Sequence, residues 1–297
     1  HSLYTIFQAI LDPGDEVLIP TPCWVSYPEM VRMAGGVPIF IPADESTNFI
    51  PTNRDIASRV TRRTKAIIIT SPSNPNGSVW DREQLQFVAD LAVSHPFYVV
   101  SDEIYEKLLY DGRKHLSIAQ LGEQIKAQTF LVNGMSKAYA MTGWRIGYVA
   151  GPRHEISAMA SFQSQATSNA NTVAQYAATK ALQGDQSAVD EMVVEFQKRR
   201  DVMVERINSI PNVSCRKPQG AFYIMLNIKK LLGMSYNGRV LESSLDFAEL
   251  LLAEKQVAVV PGIAFEAEGF CRLSYAVSMD QINRGLDRIE EFVRSLG

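Results

Sequence analysis

Short apolar segments that alternate with helical patterns constrain the fold of this chain more than any other feature. Six strand-length segments precede residue 151, at 17–19, 37–41, 65–70, 97–101, 129–132 and 145–150. Unbroken apolar runs are typical of strands buried on both faces of a parallel sheet. Between two of these segments, the helix after Asp81 spaces Leu85, Val88 and Ala92 along one face. The alternation predicts an α/β fold with a doubly wound, mostly parallel sheet.

The pattern changes after about residue 170, where longer helices replace the alternation. A charged helix covers 191–208, and strands at 221–226, 257–260 and 271–275 accompany a helix at 245–254. This order predicts a smaller α+β unit that the long helix joins to the first unit. We therefore expect a large domain over 1–190, and a linker helix with a small domain over 191–297.

The charge balance and the cysteines exclude several classes of protein. The chain has 29 Lys and Arg against 32 Asp and Glu, so its net charge of −3 gives no attraction to nucleic acid or to an anionic membrane surface. No apolar segment approaches the roughly 20 residues of a membrane span. Cys23, Cys215 and Cys271 lie far apart, which argues against a disulfide framework or a zinc site and favours a reducing, cytoplasmic location. A small-molecule substrate is expected.

Reactive side chains follow the strands at 65–70, 97–101 and 129–132, at the edge where open α/β sheets bind ligands. They are Asn74, Asp102, Tyr105, Ser136, Lys137 and Arg145. Each also has a structural explanation when it is taken singly: Asn74 as a turn former, Asp102 as a helix cap, and Lys137 as a solvated surface residue. As a set they combine an amide, a carboxylate, a phenol, an amine and a guanidinium.

Other kinds of site lack their signatures. No metal-ligand spacing relates the four histidines, His1, His95, His115 and His154, so no metal is expected. The GxSxG elbow of hydrolases is absent, as are the GxGxxG and GxxxxGK[ST] phosphate loops. The remaining groups suit an aldehyde cofactor that carries a pyridine nitrogen and a phosphate.

Four segments together resemble the class I/II aminotransferases, which use pyridoxal 5'-phosphate. GMSKAYAMTGWRIG resembles the cofactor attachment signature, SPSNPNG and SDEIY resemble two cofactor-contact segments, and QGAFY with CRLSYA resembles the substrate-carboxylate region. The motifs occur in the family's order, from His1 to the last helix, and are most similar to the aspartate aminotransferase-like and aspartate/prephenate branch. The resemblance implies the fold type I architecture, with a seven-stranded type of sheet in the large domain and a smaller α+β domain.

The resemblance also implies roles for the residues that match these motifs. Lys137 would bind the cofactor covalently and then shuttle a proton, and Asp102 would pair with the pyridine nitrogen. Tyr105 and Asn74 would bind the phenolic oxygen of the cofactor. Arg145 would bind the phosphate, with a hydroxyl from Ser136.

Three further residues complete the implied site. Trp24 would stack on the cofactor ring, and together with Asn74 it would also contact the substrate. Arg272 would bind the substrate α-carboxylate, and Phe222 would form a wall of the substrate pocket. Core packing is the alternative explanation for both Trp24 and Phe222.

Two features depart from the family pattern. Many relatives have a serine three residues before the lysine, where this chain has Gly134. The family's glycine-rich phosphate turn, a substrate-facing lysine or threonine, and a tyrosine lent by the neighbouring subunit would all precede His1. We therefore expect the large domain to be incomplete at its N-terminal side.

The function expected from the resemblance is transfer of an amino group from an L-amino acid, with aspartate favoured, to 2-oxoglutarate in a ping-pong cycle. The alternatives are a β-lyase on the same scaffold, a non-catalytic cofactor-binding module like the sensor half of some transcription regulators, or an inert fragment. A homodimer with a shared active site is expected, with neither nucleic acid nor a membrane as a partner.

Overall fold

The computed structural model describes residues 1–297, and a six-stranded sheet forms its largest element. The strands are β1 (Glu16–Thr21), β2 (Val37–Pro42), β3 (Thr64–Thr70), β4 (Tyr98–Asp102), β5 (Thr129–Gly134) and β6 (Gly147–Ala150). In the order β2-β1-β3-β4-β5-β6, every pair is parallel except β5–β6, which is antiparallel. The predicted mostly parallel α/β sheet is confirmed, with six strands rather than the seven of the family pattern.

Helices cover both faces of this sheet. They are α1 (Ser2–Ile10), α2 (Ser26–Met33), α3 (Asn53–Arg59), α4 (Arg82–Ser94), α5 (Glu123–Lys126) and α6 (Arg153–Ala166). Ala66 and Ile68 of β3 face the core formed with α1, α2 and α6, whereas Ile67 and Ile69 face the core formed with α3, α4 and α5. Because alternate residues of one strand enter opposite cores, the strand must be apolar throughout.

Local sequence signals set the ends of several elements. Asp81 and Gln84 form a reciprocal cap at the start of α4, in which each side chain accepts the other's backbone N–H at 2.8–2.9 Å. The predicted strand at 145–150 begins only at Gly147, because the preceding Arg145 has a left-handed backbone with φ of +51°.

The rest of the chain supplies longer helices and short antiparallel strands. They are α7 (Thr172–Gln183), α8 (Ser187–Ser209), β7 (Tyr223–Asn227), β8 (Ser235–Tyr236), β9 (Arg239–Val240), α9 (Ser244–Lys255), β10 (Val260–Pro261), β11 (Phe270–Ser274) and α10 (Met279–Arg294). A three-stranded sheet has the order β10-β11-β7, and β8 pairs with β9. The strand predicted at 257–260 is almost wholly irregular, because pairing with β11 starts only at Val260. None of the helices combines the length and the apolarity that a membrane span requires.

A cluster of 28 buried residues forms the core of this second part of the chain. It also includes Tyr105 and Leu108, which follow β4, so the end of the large sheet packs directly into it. The boundary predicted after residue 190 falls in the first turn of α8, and the division into two domains stays a prediction.

The guanidinium of Arg200 joins the two parts of the chain. Arg200 of α8 is fully buried and donates two hydrogen bonds of 2.8 Å to the carboxylate of Asp111, in the loop beyond β4. The Arg200 guanidinium also stacks on Tyr110 at 4.7 Å from the ring centre and donates to the carbonyl of Pro218. Because the segment that contains Pro218 leads into β7, this network fixes β7 relative to the large sheet.

Candidate active site

A cavity of about 810 Å³ lies at the carboxyl ends of β3, β4 and β5. Its size is typical of a site for a small ligand. Seven of the nine predicted site residues line it, namely Trp24, Asn74, Asp102, Tyr105, Ser136, Lys137 and Arg145. The other two, Phe222 and Arg272, lie beside this group: the Phe222 ring centre is 5.8 Å from the amine of Lys137, and Arg272 is hydrogen-bonded to Asn74.

Asp102 is the last residue of β4, and its carboxylate is buried. One oxygen accepts a hydrogen bond from the Tyr27 hydroxyl at 2.6 Å, and the other accepts the backbone N–H of Ile104 at 3.2 Å. Burial raises the pKa of Asp102, while these two hydrogen bonds oppose the rise. The carboxylate forms no ion pair within the chain, so a cation brought by a ligand would satisfy it.

Lys137 lies in the turn after β5, and its amine makes no hydrogen bond within the chain. Partial burial lowers the pKa of Lys137, and the positive charges of Arg272 and Arg145 lower it further. The nearby Asp102 carboxylate opposes this effect. The amine therefore loses its proton more readily than an ordinary lysine does, as a nucleophile or a proton acceptor requires.

Arg145 and Ser136 supply polar groups at the side of the cavity next to β5 and β6. The guanidinium of Arg145 donates to the carbonyl of Thr142 at 2.8 Å and is otherwise exposed, so it can bind an anion. Gly134 occupies the position where many relatives have a serine. A Cβ on Gly134 would lie 3.0 Å from the Cα of Gly147, so the close pairing of β5 with β6 explains the glycine.

Arg272 of β11 meets Asn74 from the large sheet. Its guanidinium donates to the side-chain oxygen of Asn74 at 2.8 Å and lies over the rings of Tyr223 and Phe265, 4.5 and 4.9 Å from their centres. Burial lowers the pKa of Arg272, and the Tyr223 and Tyr105 phenols oppose this shift. Since no carboxylate of the chain pairs with this guanidinium, its remaining N–H groups are available to a ligand carboxylate.

Aromatic side chains form much of the remaining surroundings. The hydroxyls of Tyr105 and Tyr223 are 2.9 Å apart, and burial raises the pKa of Tyr105 well above its usual value. Phe222 packs edge-on against Tyr105, with ring centres 5.5 Å apart. Trp24 is half-buried and meets Tyr27 edge-on at 5.3 Å. These contacts leave Trp24 at the cavity and restrict the orientation of the Tyr105 and Tyr27 rings.

Sequence reasoning missed Tyr27 and Tyr223, which contact the predicted site residues directly. Tyr27 lies three residues after Trp24 in the same TPCWVSYPEM segment, and Tyr223 directly follows Phe222 in QGAFY. Proximity to a predicted residue was the only available signal, because a buried tyrosine in an apolar segment has the pattern of ordinary core packing.

Taken together, the cavity holds one unpaired carboxylate, a half-buried amine and the exposed guanidinium of Arg145, with the Arg272 guanidinium beside it. A ligand with a basic ring nitrogen and anionic groups would neutralise all of these charges. An amine with a lowered pKa beside such a ligand can form a covalent bond to an aldehyde and can move protons.

Known proteins are similar to this chain in both sequence and fold. Residues 1–289 match the family described as "Aminotransferase class I and II". An aspartate aminotransferase of Geobacillus stearothermophilus is 46% identical over 295 residues, which are 99% of this chain and 74% of that protein. A probable aspartate/prephenate aminotransferase of Aquifex aeolicus is 44% identical over 296 residues, again 99% of this chain and 74% of that protein.

Solved structures show the same similarity. The crystal structure of an aspartate aminotransferase from Rhizobium meliloti superposes with a TM-score of 0.96 at 41% identity, over 100% of this chain and 74% of that one. An aromatic aminotransferase from Pyrococcus horikoshii superposes with a TM-score of 0.92 at 40% identity, over 99% of this chain and 77% of that one.

Proposed function

Because the chain belongs to the class I and II aminotransferase family, we propose that it transfers the amino group of L-aspartate to 2-oxoglutarate with pyridoxal 5'-phosphate as its cofactor. Three relatives named as aspartate aminotransferases, 44–47% identical over nearly the whole chain, support this choice of donor. The observation that carries the proposal is the shared cavity of Asp102 and Lys137, where a buried carboxylate without a cation lies near an amine of lowered pKa.

The side chains at the cavity fit the cofactor group by group. Asp102 would bind the protonated ring nitrogen and so gain the cation that the chain itself does not provide. Lys137 would hold the cofactor covalently, and Trp24 would stack on its ring. The phenolic oxygen would accept hydrogen bonds from Tyr105 and from the amide nitrogen of Asn74, whose side-chain oxygen is already bonded to Arg272. Arg145 and Ser136 would bind the phosphate.

When bound, the cofactor supplies a ring that accepts the electrons left on the substrate when its α-proton departs. Arg272 binds the substrate α-carboxylate with its free N–H groups and thereby turns the α-proton toward Lys137. Once the substrate amine has replaced the Lys137 amine on the cofactor, the freed Nζ atom would take that proton and return one on the other side of the transferred nitrogen. The Asp102 carboxylate stays ionised, so that the ring nitrogen keeps its proton. Phe222 limits the space beside Lys137.

A panel of donors tests the proposed reaction. The purified holoenzyme is mixed with 2-oxoglutarate and with L-aspartate, L-phenylalanine or L-leucine, and the 2-oxo acid products are measured. We expect oxaloacetate from aspartate to form fastest, with no product from a Lys137→Ala variant. In a separate assay without any 2-oxo acid acceptor, an amino acid with a leaving group on its β-carbon is the donor, and release of ammonia and pyruvate from it would instead identify a β-lyase. No turnover of any donor by a protein with bound cofactor would refute the proposal.

Prephenate is a second candidate acceptor. The relatives named as probable aspartate/prephenate aminotransferases, including the Aquifex aeolicus protein at 44% identity, favour this activity. The test repeats the aspartate assay with prephenate in place of 2-oxoglutarate. A rate within about tenfold of the 2-oxoglutarate rate would identify prephenate as a substrate, and a rate equal to the blank would exclude it.

A homodimer is the proposed assembly. The exposed surface of α7 supports it, since Val173 and Tyr176 of this helix are 67% and 75% exposed and Leu182 is 46% exposed. Light scattering during size exclusion would measure the mass, with Tyr176→Lys as the variant expected to dissociate.

The three cysteines are buried and unpaired, which supports the proposed cytoplasmic location.

A further inference from the structure

We propose that Tyr27 is a positioning residue, whose phenol keeps the Asp102 carboxylate ionised and correctly oriented for the ring nitrogen of the cofactor. The proposal rests on the proposed function, because it takes Asp102 as the partner of that nitrogen. Tyr27 belongs to α2, far from Asp102 in the sequence, and no motif identified in the chain includes it as a site residue.

The hydrogen bonds around Tyr27 have a defined direction. Its hydroxyl oxygen lies 2.6 Å from one Asp102 oxygen and 2.8 Å from the Thr70 hydroxyl. A phenol has one proton to donate, and an ionised carboxylate can only accept. The Tyr27 proton therefore goes to Asp102, and Thr70 must donate its own proton to the Tyr27 oxygen. In such a chain the first donor polarises the second, so the bond to the carboxylate is strengthened.

The position of the phenol is fixed by packing. Tyr27 is only 2% exposed and belongs to the buried core between α2 and the sheet. The Trp24 ring packs edge-on against it, with the ring centres 5.3 Å apart. The phenol cannot turn away from Asp102 without disturbing this core. With the Ile104 N–H on its other oxygen, the Asp102 carboxylate is fixed by two donors on two different atoms.

The charges around Asp102 explain why this phenol matters. Burial raises the pKa of Asp102, and the neighbouring Glu103 carboxylate raises it further. The hydrogen bond from Tyr27 is the largest opposing influence, ahead of the Ile104 N–H and the Lys137 charge, so it does most to hold the pKa of Asp102 down. Without the Tyr27 hydroxyl the carboxylate would attract a proton more strongly. The proton shared with the ring nitrogen would then move toward Asp102.

The experiment places a nitrogen label on the cofactor ring. The apoenzyme is reconstituted with pyridoxal 5'-phosphate carrying ¹⁵N in the ring, and the ¹⁵N chemical shift reports whether that nitrogen is protonated. We expect Tyr27→Phe to move the resonance toward the unprotonated position and to weaken cofactor binding by roughly tenfold or more. Thr70→Val should move the resonance in the same direction but less, because it weakens the Tyr27 bond indirectly. Since Thr70→Val leaves the Tyr27 ring in place, it also tests the proposal if Tyr27→Phe fails to fold.

Tyr110→Phe is the matched control, because it also removes a buried phenolic hydroxyl, one that bonds to the carbonyl of Ala221 rather than to Asp102. It should leave the ring resonance at its wild-type position. The Asp102→Asn variant distinguishes a failure of the role proposed for Tyr27 from a failure of the role proposed for Asp102. If Asp102→Asn moves the resonance and both Tyr27→Phe and Thr70→Val leave it unchanged, the role of Tyr27 is refuted while Asp102 keeps its own. If Asp102→Asn has no effect, the assignment of Asp102 fails, and the role of Tyr27 fails with it.

Discussion

Replacement of Arg272 tests how the site recognises its substrate. In the structure, one N–H of this guanidinium is bonded to Asn74, and the remaining N–H groups have no partner within the chain. The ring centres of Tyr223 and Phe265 lie 4.5 and 4.9 Å from the guanidinium carbon, so the position of this group is restricted before a ligand arrives. A substrate α-carboxylate would then form two charge-assisted hydrogen bonds at little cost in reorganisation.

The magnitude follows from the bonds that each variant loses. A hydrogen bond to a charged group contributes about 1.5–3 kcal/mol, so Arg272→Ala should remove about 3 kcal/mol or more of transition-state binding. That corresponds to a loss of at least about 100-fold in kcat/KM. Arg272→Lys keeps the positive charge but loses the planar fork and the stacking on the aromatic rings. We expect its kcat/KM to fall about tenfold.

The assay is the half-reaction of the holoenzyme with each amino acid alone, followed through the absorbance change of the cofactor in a stopped-flow instrument. Aspartate, glutamate, phenylalanine and alanine share only the α-amino acid group. The Arg272→Ala substitution should therefore lower kcat/KM by the same factor for every donor. Cofactor affinity, measured by equilibrium titration of the apoenzyme, should stay near that of the wild type.

Three results would refute this reasoning. A loss confined to aspartate and glutamate would show that Arg272 binds the side-chain carboxylate rather than the α-carboxylate. Equal kcat/KM values for wild type and Arg272→Ala would show that the guanidinium does not contact the substrate. A large fall in cofactor affinity would instead make Arg272 part of the cofactor site.

Three further predictions concern the remaining groups. Asp102→Asn should retain the cofactor in its absorbance spectrum while turnover falls by about 100-fold or more, and near-normal turnover would contradict its role. Arg145→Ala removes a positive charge that lowers the pKa of Lys137, so the pKa of this amine should rise. Because the amine must lose its proton to act, the acidic limb of the pH–rate profile should move to higher pH. A move of this limb to lower pH would contradict the prediction. Gly134→Ser should reduce the free energy of unfolding by about 1–3 kcal/mol in urea, because its Cβ would press on Gly147, whereas unchanged stability would show that β5 and β6 can separate.

The large sheet was predictable because its inner strands, β1, β3, β4 and β5, are buried on both faces. A strand such as β3 needs apolar residues at consecutive positions, and that pattern is unmistakable in a sequence. The buried face of α7 is harder to predict, for the opposite reason. Ala174 and Ala178 are buried, whereas Val173, between them and the N-terminal end of the helix, is exposed. In a helix rich in alanine, hydrophobicity hardly distinguishes one face from another.

The residues of the candidate site were predictable where the proposed chemistry requires rare groups at fixed positions. Lys137 and Asp102 lie at the ends of strands that finish at one edge of the sheet. The order of the motifs predicted that Arg272 belongs to the same site. The supporting phenols of Tyr27 and Tyr223 could not be predicted in this way. Their roles depend on hydroxyl positions at 2.6 and 2.9 Å from their partners, which are set by packing rather than by any sequence pattern.

The hydrogen bond between Arg272 and Asn74 spans 198 residues of sequence, and this separation orders the events during synthesis. A growing chain completes β3, β4 and β5, with Asp102 and Lys137, long before the ribosome reaches β11. Because domains fold as units from the N-terminal side, the predicted large domain could bring Asp102 and Lys137 together while Arg272 does not yet exist. With the proposed roles of these residues, capacity to bind the cofactor would then precede capacity to select an amino acid in the life of each molecule.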